Sequence, residues 1–205
     1  MRLATICAAG LVVFATCVPT FASIATVDFE SAVPGAKVSG DELATVGSLV
    51  AKVGSQTGSI VAGGGPAGAG DQYLYSDDGG ADPQDRAVEI VFNKPISSIL
   101  SLDALFQDSG GTDFTIRIPG PGPNIVVFSS NAGGLNPAWF TDVIGGPLVL
   151  PFYTTKLIFT DNDTNPVGID NLKVEYVPEA GSLIAWSVLA GGFFGFVRLR
   201  RNARV

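Results

Sequence analysis

Apolar and polar residues alternate with a period of two in several stretches of the chain. Every second residue from Val88 to Phe92 is apolar, and so is every second residue from Phe114 to Ile118 in the segment Asp113–Ile118. Alternation of this kind predicts β-strands with one buried side. The region between the two apolar chain ends shows no sustained helical period. Ten strands are predicted, over Ile24–Glu30, Thr45–Val53, Gln72–Ser76, Ala87–Asn93, Ser98–Phe106, Asp113–Ile118, Asn124–Ser129, Leu148–Phe152, Lys156–Thr160 and Gly168–Tyr176.

Turns rich in glycine, proline and aspartate separate these strands, as is typical of an all-β domain. About ten short strands in one region of this size predict an antiparallel β-sandwich, jelly-roll-like, over residues 23–177. Pro119–Pro123 joins the predicted strands Asp113–Ile118 and Asn124–Ser129. We expect these two strands to pair as a hairpin with a stiffened loop.

The first 22 residues have the order of a secretory signal peptide. Arg2 precedes the mostly apolar run Leu3–Val18, and the segment Pro19–Ser23, which ends in the small residues alanine and serine, follows. We expect export, with cleavage by signal peptidase between Ala22 and Ser23. An uncleaved anchor helix and a lipoprotein modified at Cys17 are the alternatives.

Composition removes several classes of function. The chain has no histidine, which excludes Ser-His-Asp and Cys-His nucleophilic sites and His-ligated zinc. Its two cysteines, Cys7 and Cys17, both lie in the leader, so the exported domain would have neither a disulfide nor a thiol nucleophile.

The charge of the predicted domain is strongly negative. All 19 acidic residues, but only seven of the 12 basic ones, lie between Ser23 and Glu179, which gives this region a net charge of −12. Such a surface repels nucleic acid and anionic lipid. Calcium and neutral polymers are the better candidate partners.

A second apolar stretch lies near the carboxyl end. Ala180–Val197 carries no charge and, as a helix that rises about 1.5 Å per residue, would span about 27 Å. Four arginines follow between Arg198 and Arg204. The stretch is therefore predicted to be a transmembrane helix with the arginines on the cytoplasmic side. A buried core helix is the alternative.

The motif Pro178, Glu179 and Ala180, the apolar span and the terminal arginines together resemble the PEP-CTERM sorting signal, over residues 178–205. Ala180 stands where the family has a proline. The resemblance implies a protein exported by bacteria that make extracellular polysaccharide. It also implies processing near the motif by a membrane transpeptidase of the exosortase type.

The first and last predicted strands contain Thr26–Glu30 and Gly168–Val174. This pair of segments resembles exported sandwich domains of the carbohydrate-binding-module type. The resemblance implies that the first and last strands are neighbours, and that a structural calcium ion binds where they meet.

Asp161, Asp163 and Asn165 occupy positions 1, 3 and 5 of a loop, where alternate oxygen side chains can point towards one cation. Asp170 supplies a further carboxylate. Proline and leucine stand at the sixth and twelfth positions, so the loop is not an EF-hand. These four residues are the candidate calcium ligands, and an Asx-rich turn is the alternative.

Four carboxylates lie close together in the sequence at Asp77, Asp78, Asp82 and Asp85. A solvated acidic loop is the expected structure. The alternatives are a second cation site and the paired acid and base of a glycoside hydrolase.

Three aromatic residues are candidates for sugar binding. Tyr73 and Tyr75 alternate on one side of a predicted strand, and Trp139 follows an Asn-Pro-Ala segment. Their rings could stack against a sugar, although aromatic residues of a sandwich also fill its core.

These patterns predict a non-enzymatic, exported protein of the bacterial cell surface or extracellular matrix. Its role would be structural or adhesive, after processing at the sorting signal. A calcium-stabilised carbohydrate-binding module that contacts extracellular polysaccharide is the alternative, and a hydrolase that uses Asp/Glu pairs is the second. None of these functions involves nucleic acid.

Overall fold

The computed structural model describes residues 22–54, 58–63, 65–66, 71–76, 87–106, 114–130, 138–161 and 167–177. The predicted leader as far as Phe21, the acidic run Asp77–Asp85 and the predicted sorting signal from Pro178 lie outside these residues. Ser23–Tyr176 forms one compact unit. In the described stretches, no helix has the length and apolar character needed to cross a bilayer.

The described residues form an all-β structure. Its twelve strands are β1 (Ser23–Val27), β2 (Gly35–Lys37), β3 (Glu42–Val46), β4 (Leu49–Val53), β5 (Gly58–Ala62), β6 (Gln72–Ser76), β7 (Val88–Phe106), β8 (Phe114–Ile118), β9 (Ile125–Ser130), β10 (Ala138–Phe140), β11 (Leu148–Asp161) and β12 (Gly168–Tyr176).

Every strand pair is antiparallel. The sheet has the order β2-β5-β6-β12-β7-β11-β8-β9, with β1 paired to β12, β10 and β4 paired to β7, and β3 paired to β4. The pairing of β1 with β12, from Ser23 opposite Tyr176 to Val27 opposite Leu172, agrees with the expectation that the first and last strands are neighbours.

The sheet folds over because β7 and β11 are long. At about 3.3 Å per residue, the 19 residues of β7 would extend about 63 Å. Val88–Phe92 of β7 pairs with β4 and with the end of β11, whereas Ile96–Phe106 pairs with β12 and β10. β7 changes partners at Asn93–Pro95. β11 has a register shift between Val149 and Thr154.

The result is consistent with a β-sandwich of two layers. The first layer contains β1, β2, β5, β6, β12, β10 and Ile96–Phe106 of β7. The second contains β3, β4, β8, β9, Val88–Phe92 of β7 and Lys156–Asp161 of β11.

Aromatic stacking joins the two layers. Phe106 of the first layer lies 5.3 Å, ring centroid to ring centroid, from Phe114 of the second, with the rings 21° from parallel. Phe106 also stacks on Phe140 at 4.4 Å, and Phe114 on Phe159 at 6.4 Å. Because Phe106, Phe114 and Phe159 are fully buried, this stack forms the centre of a single core.

The predicted hairpin is confirmed, since β8 and β9 pair from Phe114 opposite Ser130 to Ile118 opposite Ile125. The prediction of one strand over Thr45–Val53 is wrong. β3 and β4 form a hairpin there, because Gly47 adopts a φ of 60°, which glycine reaches without strain.

Two further pairs of predicted strands are in fact single strands. Ala87–Asn93 and Ser98–Phe106 belong to β7, and Leu148–Phe152 and Lys156–Thr160 belong to β11. Pro95 lies at an exposed position between the layers, so its missing N–H interrupts the pairing there but does not end the strand. The short strands β2, β5 and β10 were not predicted because their segments lack clear alternation.

Candidate functional site

The outer side of the first layer carries the candidate site. Tyr75 pairs with Gly168, Gly168 with Leu105, and Leu105 with Trp139, so these four positions form one row across β6, β12, β7 and β10. Residues that pair directly point to the same side of a sheet. The neighbours Leu74, Ile169, Ala104 and Phe106 face the core, so this row faces away from it.

Tyr73, Tyr75 and Trp139, the three predicted sugar-binding residues, meet on this outer side. The ring centroid of Tyr73 lies 6.0 Å from that of Tyr75 and 5.0 Å from that of Trp139. Both contacts are edge-to-face, with ring planes at 90° and 87°. All three side chains are half-buried, so each keeps part of its surface in contact with solvent.

Gly168 makes room for this aromatic cluster. A Cβ atom at Gly168 would lie 2.9 Å from Cβ of Leu105 and 3.2 Å from Cδ2 of Tyr73. The absence of a side chain therefore lets the ring of Tyr73 lie against β12. Sequence reasoning missed Gly168, because a glycine at the start of a predicted strand resembles an ordinary turn residue.

The three rings form an angular cluster and not a flat platform. Tyr73 stands between the other two rings and perpendicular to both, so a ligand that stacks on Tyr75 or Trp139 would meet Tyr73 edge-on. Burial raises the pKa of Tyr73 above its ordinary value of 10.0. Its hydroxyl therefore remains neutral at physiological pH and can donate a hydrogen bond.

Carboxylates lie beside the aromatic cluster on the same side of the sheet. Asp170 pairs with Asp103, two positions along β12 and β7 from the row that holds Tyr75 and Trp139. Asp170 is only 1% exposed, and among the described residues its Oδ1 has no hydrogen-bond partner. Burial, together with the nearby charges of Asp71, Asp103 and Glu30, raises the pKa of Asp170 to about 7.

Hydrogen bonds hold the carboxylates around Asp170 in place. Oε1 of Glu30 accepts from the backbone N–H of Gln72 at 2.8 Å. Oδ1 of Asp103 accepts from the backbone N–H of Asp142 at 2.8 Å, and its Oδ2 accepts from Nδ2 of Asn171 at 2.9 Å. Negative charge is thus concentrated at the edge of the aromatic cluster by an ordered network.

The predicted calcium set is only partly described. Asp161 is buried in β11, in the second layer, and Asp170 is buried on the outer side of the first. Asp163 and Asn165 lie outside the described residues. Within those residues, no three acidic, cysteine or histidine side chains converge closely enough to hold a metal ion.

Sequence reasoning found Asp170 but assigned it other neighbours. Glu30, Asp71 and Asp103 come from three separate segments, and only the pairing of β12 with β7, and the approach of Gln72 to Glu30, bring them to Asp170. The sequence contains one signal for this cluster, because Asp103 is a lone carboxylate between the apolar residues Leu102 and Ala104 of a strand.

No protein-family model matches the sequence, and no curated protein matches it. Structures of family 29 carbohydrate-binding modules show a distant likeness. One variant module has 14% identity over 76% of this chain and 93% of its own, with a TM-score of 0.33. A second has 13% identity over 76% and 92%, with a TM-score of 0.35. A third, complexed with cellulohexaose, has 12% identity over 75% and 91%, with a TM-score of 0.34. TM-scores this low do not establish a common fold.

Proposed function

We propose that the chain is an exported surface or matrix protein whose β-sandwich binds carbohydrate at Tyr73, Tyr75 and Trp139. The observation that supports this function is the meeting of three half-exposed aromatic rings, from β6 and β10, on the outer side of a sheet. Aromatic residues that only filled the core would point to its other side, as Phe106 and Phe140 do.

The chemistry of the cluster suits a sugar. The apolar C–H face of a pyranose ring packs on an aromatic face, and ligand sites combine such surfaces with a few polar groups that fix orientation. Here the neutral hydroxyl of Tyr73 can donate a hydrogen bond, and carboxylates such as Asp103 can accept from sugar hydroxyls. Because the region from Ser23 to Glu179 has a net charge of −12, we propose a neutral glycan.

Affinity electrophoresis tests this function. The full-length chain would run through gels that contain cellulose-type, mannan-type and other neutral polysaccharides, with cellulohexaose and mannohexaose as soluble competitors. We expect at least one neutral polysaccharide to retard the chain, and Tyr75→Ala to reduce that retardation. An unretarded chain across the whole panel would remove the proposal.

The expected export and sorting remain part of the proposal. Signal peptidase would cleave between Ala22 and Ser23, and an exosortase-type transpeptidase would act near Pro178, Glu179 and Ala180. Mass spectrometry of the terminal peptides from the native host tests both steps. A chain that starts near Ser23 and ends near Ala180 is expected, and one that retains Arg198–Arg204 would contradict processing at the motif.

We also propose that calcium stabilises the module. The supporting observation is the buried, unpartnered Oδ1 of Asp170 among other carboxylates, because hard oxygen ligands of this kind suit calcium. Since the described side chains do not converge as a complete set, Glu30, Asp71 or Asp103 would have to turn towards the ion.

Thermal unfolding with calcium and with a chelator tests this stabilisation. Free calcium at about 100 times its Kd should add about 2.7 kcal/mol to the free energy of unfolding, and Asp170→Asn should abolish the increase. Asp163→Asn tests the predicted loop separately. Equal melting curves in calcium and in chelator would eliminate a calcium site.

A further inference from the structure

A wide, open cleft lies on the outer side of the second layer. Its volume is about 350 Å³, and its lining includes Ser39, Lys52, Glu89, Val91 and Lys156. Lys52 and Lys156 both pair with Val91, from β4 on one side and β11 on the other. Two of the seven basic residues between Ser23 and Glu179 therefore flank one apolar position.

The floor of the cleft is an ion pair. Nζ of Lys156 lies 2.7 Å from Oε1 of Glu89, and Glu89 is 5% exposed. The backbone N–H of Gly54 donates to the carbonyl of Glu89 at 2.7 Å, and any side chain at Gly54 would overlap the Glu89 carboxylate. The backbone at Gly54 thus leaves space for this carboxylate.

An ion pair of this kind calls for a functional explanation. Lys156 keeps 32% of its side chain exposed, so the desolvation cost falls on the Glu89 carboxylate, and taking an ion out of water costs several kcal/mol even when it is paired. The pair is not sealed in the core, because it opens into a cleft beside the half-buried Val91. Convergent polar groups around a small apolar surface are the usual features of a ligand site.

The donors and acceptors of the cleft match a sugar. Lys52 and Lys156 donate, Glu89 accepts, and the hydroxyl of Ser39 can do either. Adjacent hydroxyls of one sugar residue offer both roles within a short distance, whereas an oxyanion offers only acceptors and could not donate to the Glu89 carboxylate. We propose that this cleft is a second glycan-binding site, for a neutral sugar residue of a polysaccharide.

The consequence is a bivalent module. The aromatic cluster faces outward from the first layer and the cleft faces outward from the second, with the core between them. Because the two sites face opposite ways across the packed core, an oligosaccharide that lies flat on one site is directed away from the other. The module would therefore connect two polysaccharide chains. This inference rests on the proposed function in taking a glycan as the ligand class.

The test measures stoichiometry and cross-linking with the full-length chain in a mild detergent. Isothermal titration would use cellulohexaose or mannohexaose, whichever competes in the affinity gels, and light scattering would use the parent polysaccharide. For the wild type, we expect two bound oligosaccharides per chain in the titration and cross-linked polysaccharide in light scattering. Lys52→Ala and Trp139→Ala should each leave one bound oligosaccharide per chain and abolish the cross-linking. Lys37→Ala, the control, should change neither result.

Glu89→Gln provides a second variant of nearly the same shape, and is expected to behave as Lys52→Ala does. If the wild-type chain binds one oligosaccharide and Trp139→Ala abolishes that binding, the second site is overturned and the proposed function remains intact. If the wild-type chain binds one oligosaccharide and Lys52→Ala abolishes that binding but Trp139→Ala does not, the aromatic site is overturned instead.

Two further results bear on the ligand. Competition by sulfate or glucuronate at the cleft would contradict a neutral ligand. The absence of any binding would overturn both proposals.

Discussion

At the scale of single residues, Asp170 has the most unusual environment in the described chain. Its carboxylate faces the outer side of the first layer, yet it is buried beside other acids. Deprotonation there places a charge in a poorly solvated position close to three negative neighbours. The residue therefore links the stability of the sandwich to pH.

The sign of this dependence follows from the two pKa values. The folded-state pKa of about 7 lies above the ordinary value of 3.8, so the folded state keeps the proton to a higher pH than the unfolded state. In the absence of calcium, the free energy of unfolding should fall as the pH rises from about 4 to about 7. Asp170→Asn should lack this part of the decline.

Urea unfolding at pH 5 and pH 8, in chelator, measures the effect. Asp142→Asn is the matched control, because Asp142 is exposed and asparagine tolerates its φ of 46°. Wild type and control should lose more stability between the two pH values than Asp170→Asn. Equal losses in all three proteins would show that Asp170 does not titrate as described.

Gly168 is packed so closely against its neighbours that a side chain would not fit there. A methyl group there would press on Cβ of Leu105 and on the ring of Tyr73, and overpacking of this kind costs about 1–3 kcal/mol. Gly168→Ala should therefore lower the urea midpoint and weaken glycan binding. A Gly168→Ala protein as stable as wild type would contradict the close packing.

At the scale of elements, the passage of β7 between the layers depends on polar side chains. Nδ2 of Asn93 donates to the carbonyl of Ser48 at 3.1 Å, and its Oδ1 accepts from the backbone N–H of Val50 at 2.8 Å. Nζ of Lys94 donates to Oγ of Ser48 at 2.7 Å and lies 5.8 Å from the ring centroid of Tyr176. These contacts attach the bend of β7 to the β3–β4 turn and to the end of β12.

Asn93→Ala should therefore destabilise the sandwich. Two backbone groups of the β3–β4 hairpin lose their partner, and a typical hydrogen bond contributes about 0.5–1.5 kcal/mol, so a loss of about 1–3 kcal/mol is expected in urea unfolding. Asn124→Ala, at an exposed loop position, is the control. A loss no larger than that of the control would mean that the bend is held by packing alone.

The elements also show what the sequence could and could not predict. Gln72–Ser76 and Gly168–Tyr176 were predicted with their exact bounds, because turn residues border an apolar alternation. The continuity of β7 through Pro95 was not predictable, because it depends on neighbours that are distant in sequence. The acidic residues around Asp170 were missed for the same reason, since pairing between remote strands assembles them.

At the scale of the whole molecule, the two outer sides of the sandwich carry different polar groups. The region from Ser23 to Glu179 has a net charge of −12, with carboxylates beside the aromatic cluster on one outer side and two of its seven basic residues in the cleft on the other. This distribution disfavours polyanions and favours neutral polymers. A module with a glycan site on each side, as proposed, would act between polysaccharide chains.

Glycan binding by the module should depend on the aromatic cluster. The decisive measurement is isothermal titration of the glycan that binds best in the affinity gels into wild type, Trp139→Ala and Tyr153→Ala. Tyr153 is 67% exposed and lies in β11, so it is a matched aromatic control. Loss of a stacking ring worth about 1.5 kcal/mol should weaken binding at that site about tenfold for Trp139→Ala and leave Tyr153→Ala unchanged. Equal affinities for all three proteins would contradict the proposed site.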